Sequence, residues 1–514
     1  MRRTASITAQ PSSPDAQGLD AKRCYQAMVD KDAAWDGLFF TGVTSTGIYC
    51  RPVCRVRLPK ASNCRFFETP AQAESQGFRP CLRCRPELAP ARRHWSTTDA
   101  QLQLAQSAAD LLQSALRQGQ KPQSMSDLAA RLGVSDRHLR RVFERHWHVS
   151  PGQYLQTQRL LLAKQWLHDA NWPMAQVAQA SGFGSTRRMY AAFAQHYRLS
   201  PAQLRPPKVQ APAALTRGQV LTLHYRPPCQ HEALWQFFRE RSLEGMECWQ
   251  GEGPQAVLRR TVRWPHGPGH LQGWLQVHWD AARPCVHVET SASLMPVLPD
   301  VVAQVRNWLD LDADPAHIHQ VLGQDFPQAM GQRLPGGLDG FELAVRAILG
   351  QQITVKAART LGQRLVNALG EPCETPWPGL NRTFPTPATL AKPAHAALMG
   401  SLGVVRQRQQ AIQALAQAVH SGALDLQASA PLASTLDTLM SLPGIGPWTA
   451  HYVAMRALRW TDAWPVQDVA LQTALGVRQA QHPGRTLERL GQAWQPYRSY
   501  ALIAAWQTLS PSPS

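Results

Sequence analysis

Two parts of this sequence combine residues that could do chemistry, and the first is a glycine turn followed by a lone carboxylate. The turn lies in Leu442-Pro-Gly-Ile-Gly-Pro-Trp448-Thr-Ala-His-Tyr452. Gly444 and Gly446 can take positive φ and bring bare backbone close to another molecule. A glycine turn that opens a helix also points unpaired N–H groups at a phosphate oxygen. Asp468, about a helix length further on, could then stabilise an oxocarbenium-like sugar or activate water.

The elements that would position this pair are two short helices joined by the turn. Residues 434–441 are amphipathic and Pro443 ends their helix, while helical spacing resumes over residues 448–459. Taken alone, such a turn is often a plain helix connector, and an aspartate in such a place is often a helix cap. The combination of the turn with Asp468 favours a DNA-gripping hairpin that places a carboxylate beside the sugar.

The second part is a set of four cysteines in two closely spaced pairs. The pairs lie in Tyr-Cys-Arg-Pro-Val-Cys and Pro-Cys-Leu-Arg-Cys, and the cysteines are Cys50, Cys54, Cys81 and Cys84. Two such pairs separated by a loop can place four thiolates at the corners of a tetrahedron, which is a closed site for Zn²⁺. The surrounding region has few apolar residues for a core of its own, so a metal would be needed to hold it. The alternative is four unconnected buried cysteines.

Four thiolates on one Zn²⁺ leave a net negative charge, which makes the sulfurs nucleophilic. Arginines crowd the same stretch as candidate partners of the thiolates or of DNA: Arg51, Arg55, Arg57, Arg65, Arg79, Arg83 and Arg85. A methyl group taken up by one thiolate would reduce the negative charge and ease the repulsion of DNA phosphate. The segment therefore has the chemistry of a one-way switch of DNA affinity.

The composition sets the class of partner. The chain has 514 residues, too many for one core, with a formal net charge of +18 and a pI near 9.9. Such a charge favours a polyanion, and nucleic acid above all. No apolar run approaches the about 20 residues of a membrane helix, and the first 14 residues lack the apolar core of a secretory signal. Together with six scattered cysteines, this indicates a cytoplasmic protein rather than a disulfide-bonded one.

An internal repeat occupies the helical region 97–205. Arg-His-Leu-Arg-Arg-Val-Phe from Arg137 recurs fifty residues on as Arg-Arg-Met-Tyr-Ala-Ala-Phe from Arg187, and each copy follows a short helix and a glycine turn. This pattern predicts two helix-turn-helix units whose second helices enter successive major grooves. A plain helical bundle with a basic surface is the alternative. The candidate base or phosphate contacts are Arg137, Arg140, Arg141, Arg187 and Arg188, whereas Leu139, Phe143, Met189 and Phe193 recur at core positions.

The hairpin and Asp468 resemble the helix-hairpin-helix DNA glycosylases, in particular those of the AlkA type, the 3-methyladenine DNA glycosylases II. The similarity extends from Leu221 to about Gln507 and includes Tyr-Arg-Pro-Pro228, Ala-Val-Arg-Ala-Ile-Leu-Gly-Gln351 and Trp-Gln-Pro-Tyr-Arg-Ser-Tyr-Ala501. The resemblance implies that Asp468 is catalytic. It also implies a monofunctional enzyme that uses water, because Trp448 stands where bifunctional members carry a lysine.

The same resemblance implies a pocket for a flipped base. An alkylated purine is electron-poor and leaves readily, so the pocket needs aromatic faces more than an acid. The residues that align with the pocket are Trp448, Tyr452, Trp506 and Phe237, and those that align with DNA contacts are Gly444, Gly446, Gln351 and Gln352. Aromatic residues at helical spacing are more often core than ligand contacts, which is an open alternative for Phe237. Gln352 replaces the apolar wedge of the AlkA type, and it could fill the gap in the DNA only by hydrogen bonds.

The cysteine segment resembles the N-terminal domain of the Ada family, through Asp36-Gly-Leu-Phe-Phe-Thr-Gly-Val-Thr-Ser-Thr-Gly-Ile-Tyr-Cys50 and Gly77-Phe-Arg-Pro-Cys81. In that family, the cysteine matching Cys50 takes a methyl group irreversibly from a DNA methylphosphotriester. The resemblance thus implies that Cys50 is a methyl acceptor and that all four cysteines bind Zn²⁺. The repeat resembles the AraC-type DNA-binding domain, which implies a transcription activator.

We therefore expect a multidomain α+β protein with a disordered tail, a linker and four domains. The tail is 1–20 and the linker 207–219. The domains are a small zinc-bound α/β domain over 21–90, an all-α double helix-turn-helix domain over 97–206, a small antiparallel α+β domain over 220–325 and an all-α helix-hairpin-helix bundle over 326–514. In the third domain, strands are expected at 220–225, 256–264, 273–279 and 285–289, and helices at about 230–242 and 296–309.

The expected function is repair of alkylated DNA joined to its own regulation. A monofunctional glycosylase would release alkylated bases, and a methylated zinc domain would raise promoter affinity. The expected partners are double-stranded DNA and, for an activator, RNA polymerase, with no membrane and a monomeric chain. Two alternatives stay open: an activator whose C-terminal region binds DNA without catalysis, and a purely structural zinc site.

Overall fold

The computed structural model describes residues 19–91, 100–117, 124–169, 172–205, 219–266 and 269–509. Residues 1–18 of the expected tail and 207–218 of the expected linker lie outside these ranges. The described elements fall into four groups along the chain, and each group follows the class of fold that the sequence indicates.

The first group is a four-stranded sheet with two helices. The sheet has the order β3-β1-β2-β4, in which β2 and β4 are parallel and the other pairs antiparallel. The first helix was not anticipated, although Asp20 is a typical cap and its side chain accepts hydrogen bonds from the N–H groups of Lys22 and Arg23. The elements are α1 (Ala21–Asp30), β1 (Phe40–Val43), β2 (Ile48–Cys50), β3 (Cys64–Phe67), α2 (Pro70–Ser75) and β4 (Arg79–Pro80).

The second group is all helical and contains the predicted repeat. Helices α4 and α5 form one helix-turn-helix unit and α7 and α8 the other, with the long α6 between them. Gly133 and Gly182 make the two tight turns, with φ of +69° and +71°. The helices are α3 (Ala100–Arg117), α4 (Met125–Arg131), α5 (Asp136–Trp147), α6 (Pro151–Asp169), α7 (Met174–Ala180) and α8 (Thr186–Tyr197).

The third group is a five-stranded antiparallel sheet with the order β5-β9-β8-β7-β6. The four expected strands and both expected helices are present. The edge strand β6 was not anticipated, because its four residues carry too short an alternation to be recognised. The elements are β5 (Gln219–His224), α9 (His231–Arg239), β6 (Glu247–Gln250), β7 (Val257–His266), β8 (Gly269–Trp279), β9 (Cys285–Thr290) and α10 (Leu298–Trp308).

The fourth group is a helical bundle with one two-stranded ribbon. Its helices enclose two separate apolar cores, one around Ile348, Ile412 and Val453 and the other around Trp464 and Ile503. The elements are α11 (Pro315–Leu322), α12 (Gly340–Leu349), α13 (Val355–Leu369), β10 (Glu371–Pro372), β11 (Arg382–Thr383), α14 (Pro387–Leu390), α15 (Ala394–Ser401), α16 (Arg406–His420), α17 (Leu432–Ser441), α18 (Pro447–Arg456), α19 (Val469–Ala474), α20 (Pro483–Gly491) and α21 (Arg498–Thr508).

Within the ranges given above, none of the helices combines the length and the apolar character that crossing a bilayer requires.

Candidate active site and cysteine cluster

The glycine hairpin joins α17 to α18, and its Ile445 is buried in the first of the two apolar cores. Gly444 has φ of +77°, and a Cβ there would come within 3.0 Å of the Ala411 Cβ, so the residue is required on steric grounds. Gly446 has φ of −90° and precedes α18 as its N-cap. Of the two glycines that can take positive φ, only Gly444 does so here. The position of Gly446 faces open space, since a Cβ added there would meet no atom within 4 Å.

Gln351 supports this hairpin from the neighbouring turn. Its side-chain amide donates to the carbonyl oxygen of Gly444 and to Thr449 Oγ1, both at 2.9 Å. Gln352, the next residue, is exposed and has φ of +56°. Of these two candidate DNA contacts, Gln351 therefore supports the hairpin, while Gln352, the residue at the wedge position, projects into solvent.

Asp468 is a buried carboxylate, 5% exposed, that caps α19 and joins two tryptophans. Its Oδ1 accepts from the N–H of Leu471 at 2.6 Å and from Trp506 Nε1 at 3.2 Å. Its Oδ2 accepts from Trp448 Nε1 at 2.6 Å. The cap role was the simpler alternative for this residue, and it is present together with the tryptophan contacts. Three donors fix the carboxylate against the aromatic residues of the pocket.

The aromatic residues lie on three helices. The rings of Trp448 and Tyr452 stack with centroids 5.3 Å apart and an interplanar angle of 12°. The ring of Trp506, from α21, is 6.3 Å from that of Tyr452. All three side chains are half-buried, and Tyr452 contacts both apolar cores of the bundle. This placement brings together three of the four aromatic residues that the resemblance named.

Phe237, from α9, contacts two arginines that the sequence reasoning missed, and one of them connects it to Tyr452. The Cζ atoms of Arg241 and Arg456 lie 3.7 Å and 4.8 Å from the centre of the Phe237 ring. Arg456 also donates to Tyr452 Oη at 2.6 Å. The spacing of Tyr452 and Arg456, four residues apart on one helix, is the signal that could have found this arginine.

The two arginines set the electrostatics of this corner. Burial alone would raise the pKa of Tyr452, but Arg456 and Arg241 outweigh it and the pKa is lowered. Burial lowers the pKa of Arg456 as well. The guanidinium of Arg456 is held by the carbonyl oxygens of Pro335 and Gly336 at 2.9 Å and 3.0 Å, so it is a fixed part of the pocket wall.

The four cysteines of the first domain converge as the sequence predicts. Cys50 ends β2 and Cys81 follows β4, so the parallel pairing of these strands brings the two halves of the set together. The four sulfur atoms all lie within 4.8 Å of one another. Four thiolates bound at about 2.3 Å in a tetrahedron would be about 3.8 Å apart, so the cluster fits Zn²⁺. Cys84 is half-buried and the other three cysteines are buried.

Arg51, directly after Cys50, is buried and contacts the cluster region instead of solvent. Its main-chain N–H donates to the Sγ of Cys84 at 3.4 Å and its guanidinium to the carbonyl oxygen of Cys84 at 3.1 Å. The same guanidinium forms a buried ion pair with Asp36. Of the other arginines in this stretch, two are half-buried, Arg79 and Arg85, and four are exposed: Arg55, Arg57, Arg65 and Arg83.

The second helices of the two helix-turn-helix units carry the candidate DNA-contacting arginines away from the core. Arg137, Arg140, Arg141, Arg187 and Arg188 all reach solvent. Arg140 Nε forms an ion pair with Asp136 Oδ1 at 2.7 Å, and a guanidinium nitrogen of Arg141 lies 3.1 Å from His138 Nδ1. The core positions are confirmed, since Leu139, Phe143, Met189 and Phe193 are 0% exposed.

Comparisons with known proteins agree with each part of this architecture. Four family models match the chain: the metal binding domain of Ada at 23–87, a helix-turn-helix domain at 128–206, the AlkA N-terminal domain at 220–339 and the HhH-GPD superfamily of base excision DNA repair proteins at 345–496. A cysteine-cluster domain, a double helix-turn-helix domain and a hairpin glycosylase fold together define a DNA repair protein fused to a regulator.

Curated relatives extend the similarity to almost the whole chain. A probable bifunctional transcriptional activator/DNA repair enzyme AlkA from Mycobacterium tuberculosis is 35% identical over 95% of this chain and 97% of its own length. DNA-3-methyladenine glycosylase 2 from Escherichia coli is 32% identical over 56% of this chain and 96% of its own. The bifunctional transcriptional activator/DNA repair enzyme Ada from Escherichia coli is 33% identical over 26% of this chain and 35% of its own. The chain belongs to the family of bifunctional transcriptional activator/DNA repair enzymes of the AlkA type.

Proposed function

We propose that the C-terminal half releases alkylated purines of the 3-methyladenine type from DNA by hydrolysis of the N-glycosidic bond. The observation that carries this proposal is the carboxylate of Asp468, fixed between the indole N–H groups of Trp448 and Trp506. The family of the chain and its match to DNA-3-methyladenine glycosylase 2 support the same reaction.

The chemistry needs little from the protein beyond a pocket and one carboxylate. A purine alkylated at N3 or N7 is positively charged and leaves readily, so stacking on Trp448 and Tyr452 can hold it outside the duplex. As the bond breaks, positive charge develops on the sugar, and Asp468 stabilises it or activates the attacking water. Trp448 stands where a lysine nucleophile would be needed, which favours hydrolysis without cleavage of the DNA strand.

The hairpin supplies the grip on the DNA. Gly446 opens α18 at an exposed turn, where the first N–H groups of the helix can donate to a phosphate oxygen. Gln352 is the exposed residue of the adjacent turn and would enter the space left by the flipped base. Its amide can hydrogen-bond to the unpaired opposite base, a contact that an apolar wedge cannot make.

Base release from alkylated DNA by Asp468→Asn tests the glycosylase. Asparagine is also a good N-cap, so α19 should remain intact. We expect the rate of release to fall at least about 100-fold, the usual scale of a lost acid–base group. Equal release by the wild type and the variant would leave the rival function, an activator that binds DNA without catalysis.

We also propose that Cys50 accepts a methyl group from a methylphosphotriester in DNA while all four cysteines hold Zn²⁺. The bound Zn²⁺ would keep the four thiolates deprotonated and structurally organised. The Sγ of Cys50 attacks the methyl carbon, a C–S bond forms, and the phosphodiester leaves with the electron pair of the C–O bond. Phosphotriester damage would in this way raise promoter affinity and the supply of the glycosylase.

Intact-mass analysis after incubation with methylated DNA tests this second activity. The wild type should gain one methyl group and Cys50→Ala none. Cys64→Ser is the matched control, because Cys64 is a partly exposed cysteine of the same domain outside the cluster, and it should gain the methyl group. Zinc content must be measured for each variant, since loss of the metal could unfold the domain. No gain in a zinc-loaded wild type would leave a purely structural site.

The regulatory half is proposed to bind promoter DNA through α5 and α8 and to contact RNA polymerase as an activator. The solvent-facing arginines of both helices support DNA binding. We further propose that the chain acts in the cytoplasm as a monomer. Sedimentation of the DNA complex would test the monomeric state, and a dimer on a single promoter site would overturn it.

A further inference from the structure

Arg226 is a buried cation at the boundary between the cysteine-cluster domain and the five-stranded sheet domain. It is 1% exposed, and the five hydrogen bonds of its guanidinium all end on main-chain carbonyl oxygens. Burying a guanidinium is costly unless its donors are satisfied. The carbonyl oxygens that satisfy it therefore belong to segments held firmly in place.

Those carbonyl oxygens come from both domains. The cysteine-cluster domain provides Asp36 at 3.0 Å, Pro90 at 3.3 Å and Ala91 at 2.8 Å. The turn after α10 provides Asp312 at 2.8 Å and Ala313 at 3.2 Å. A reciprocal bond runs from the N–H of Ala91 to Asp312 Oδ1 at 2.8 Å. The guanidinium thus joins the first domain of the chain to the repair half.

Asp36, which provides the first of these carbonyl groups, is connected to the cysteine cluster through its side chain. The side chain of Asp36 forms the buried ion pair with Arg51, and Arg51 contacts the sulfur and the carbonyl oxygen of Cys84. Asp36 accordingly binds Arg51 with its carboxylate and Arg226 with its main chain. Two residues, Arg51 and Asp36, therefore connect the cluster to Arg226 in the repair half.

The residue before Cys50 makes a corresponding contact with the helical regulatory domain. Tyr49 Oη donates to Glu74 at 3.0 Å, and the same buried carboxylate accepts from Thr157 at 2.9 Å and Tyr197 at 2.9 Å. The regulatory domain also packs on the sheet domain, since Leu221 and Leu298 lie in one apolar cluster with regulatory residues such as Trp166. The cysteine-cluster domain is therefore in contact with both other parts of the chain.

We propose that Arg226 is the docking residue through which the repair half holds the cysteine-cluster domain, and that β5 and the turn after α10 respond to the metal state of the cluster. This inference rests on the proposed zinc site but not on the proposed glycosylase reaction. When the metal is lost, Arg51 loses the ordered sulfur and carbonyl contacts of Cys84, and Asp36 loses its fixed partner. Arg226 then loses three of its five acceptors, and the segments it anchors open more often.

Hydrogen exchange of the full chain, followed by mass spectrometry with and without a zinc chelator, tests the proposal. In the wild type we expect chelation to speed exchange in peptides covering 219–226 and 309–314 by about tenfold or more. In Arg226→Gln the same peptides should exchange fast even with zinc bound, and chelation should add little. The zinc content of that variant should equal that of the wild type, because Arg226 does not contact a cysteine of the cluster.

A matched control separates docking from a general loss of an arginine. Arg239 lies on α9 of the same sheet domain, and its guanidinium lies over the ring of Trp249 and donates to the carbonyl oxygen of Gly251. Arg239→Gln should respond to chelation as the wild type does. Two outcomes would overturn the proposal. One is that chelation leaves hydrogen exchange in the two segments of the wild type unchanged, and the other is that it speeds exchange in Arg226→Gln as much as in the wild type.

Gly37→Ala tests the same contact from the other domain if Arg226→Gln does not fold. Gly37 has φ of +77°, and a Cβ there would lie 1.9 Å from the carbonyl oxygen of Pro90 and 3.4 Å from the guanidinium of Arg226. The substitution forces Pro90 away without changing a residue of the repair half. With zinc bound, fast exchange at 219–226 supports the docking role, and wild-type exchange there contradicts it. Base release is not a readout in any arm, so failure of the glycosylase proposal would be seen separately.

Discussion

The indole N–H of Trp448 donates a 2.6 Å hydrogen bond to Oδ2 of Asp468. The two residues lie 20 positions apart, one in the first turn of α18 and the other at the start of α19. The contact gives Trp448 two separable roles, because its ring stacks on Tyr452 while its nitrogen orients the carboxylate. A substitution that keeps an aromatic ring and removes the nitrogen can tell the roles apart.

Trp448→Phe should lower the rate of base release by about 10- to 100-fold, since a hydrogen bond to a charged group contributes about 1.5–3 kcal/mol. Because a phenyl face remains for stacking, we expect most of the loss in kcat rather than in KM. Trp494→Phe is the control, since Trp494 donates in the same way to Asp325 at 2.8 Å, outside the aromatic pocket. It should cost stability but leave kcat unchanged. A rise in KM with unchanged kcat in Trp448→Phe would contradict an orienting role.

The two hairpin glycines should respond differently to alanine. Gly444→Ala places a side chain at positive φ against Ala411 and should destabilise the bundle by about 1 kcal/mol or more. Gly446→Ala meets no atom within 4 Å and should lower the melting temperature less than Gly444→Ala does, because only the preference for glycine over alanine at an N-cap is lost. Its methyl group would project toward the bound phosphate, so affinity for DNA should fall. The control is Gly379→Ala, whose Cβ also meets no atom within 4 Å, and it should change neither the melting temperature nor the affinity for DNA. Unchanged DNA affinity in Gly446→Ala would remove the hairpin from the interface.

Gln352 should matter only when a base must be extracted from a duplex. We expect Gln352→Ala to slow release from double-stranded DNA by about tenfold, because base flipping costs a few kcal/mol and the gap is no longer filled. Release from single-stranded DNA should be unaffected, which makes the single strand the internal control. An equal effect on both substrates would mean that the side chain acts in the pocket or in folding.

Glu74 should make the contact between the cysteine-cluster domain and the regulatory domain sensitive to pH. Burial raises the pKa of Glu74 from 4.5 to about 7, although the hydroxyl groups of Tyr197, Thr157 and Tyr49 oppose the rise. The folded protein thus binds a proton that the unfolded chain releases above pH 4.5. The Glu74 contribution to stability is therefore full below the unfolded pKa and is lost as pH rises through about 7.

Melting temperatures of the wild type and Glu74→Gln at pH 6 and pH 8 check this effect. The wild type should lose more stability than Glu74→Gln between the two values, because glutamine cannot ionise. The difference between the proteins isolates Glu74 from every other titrating group. Parallel losses in the two proteins would show that the carboxylate keeps one protonation state across this range.

The arginines of α8 should contact phosphate or bases. Alanine at Arg187 or Arg188 should weaken promoter binding, and a lost phosphate contact should reduce the salt slope by about 1. Arg489→Ala, an exposed change of the same charge on α20, serves as the control and should leave promoter binding unchanged. Fluorescence anisotropy at several salt concentrations provides both quantities. An equal effect of Arg489→Ala would indicate a response to net charge alone.

Local patterns in the sequence determined the elements that carry the chemistry. The spacing of the four cysteines, the duplicated helix-turn-helix pattern and the Gly-Ile-Gly turn are each visible within a few residues, because turn geometry and metal ligation depend on local spacing. The same reasoning overlooked α1 and β6, and it did not show that Gly444 alone of the two glycines takes positive φ.

Only the tertiary structure decided which distant side chains meet. Periodicity indicates that a side chain faces inward but not which partner it finds there. Trp506 reaches Asp468 across 38 positions, and Arg226 reaches Asp36 across 190. Arg241 and Arg456 joined the pocket for the same reason, since their cationic heads come together only when α9 packs beside α18. The sequence thus determined the chemical groups, and the packing of separate elements determined the pairs in which they act.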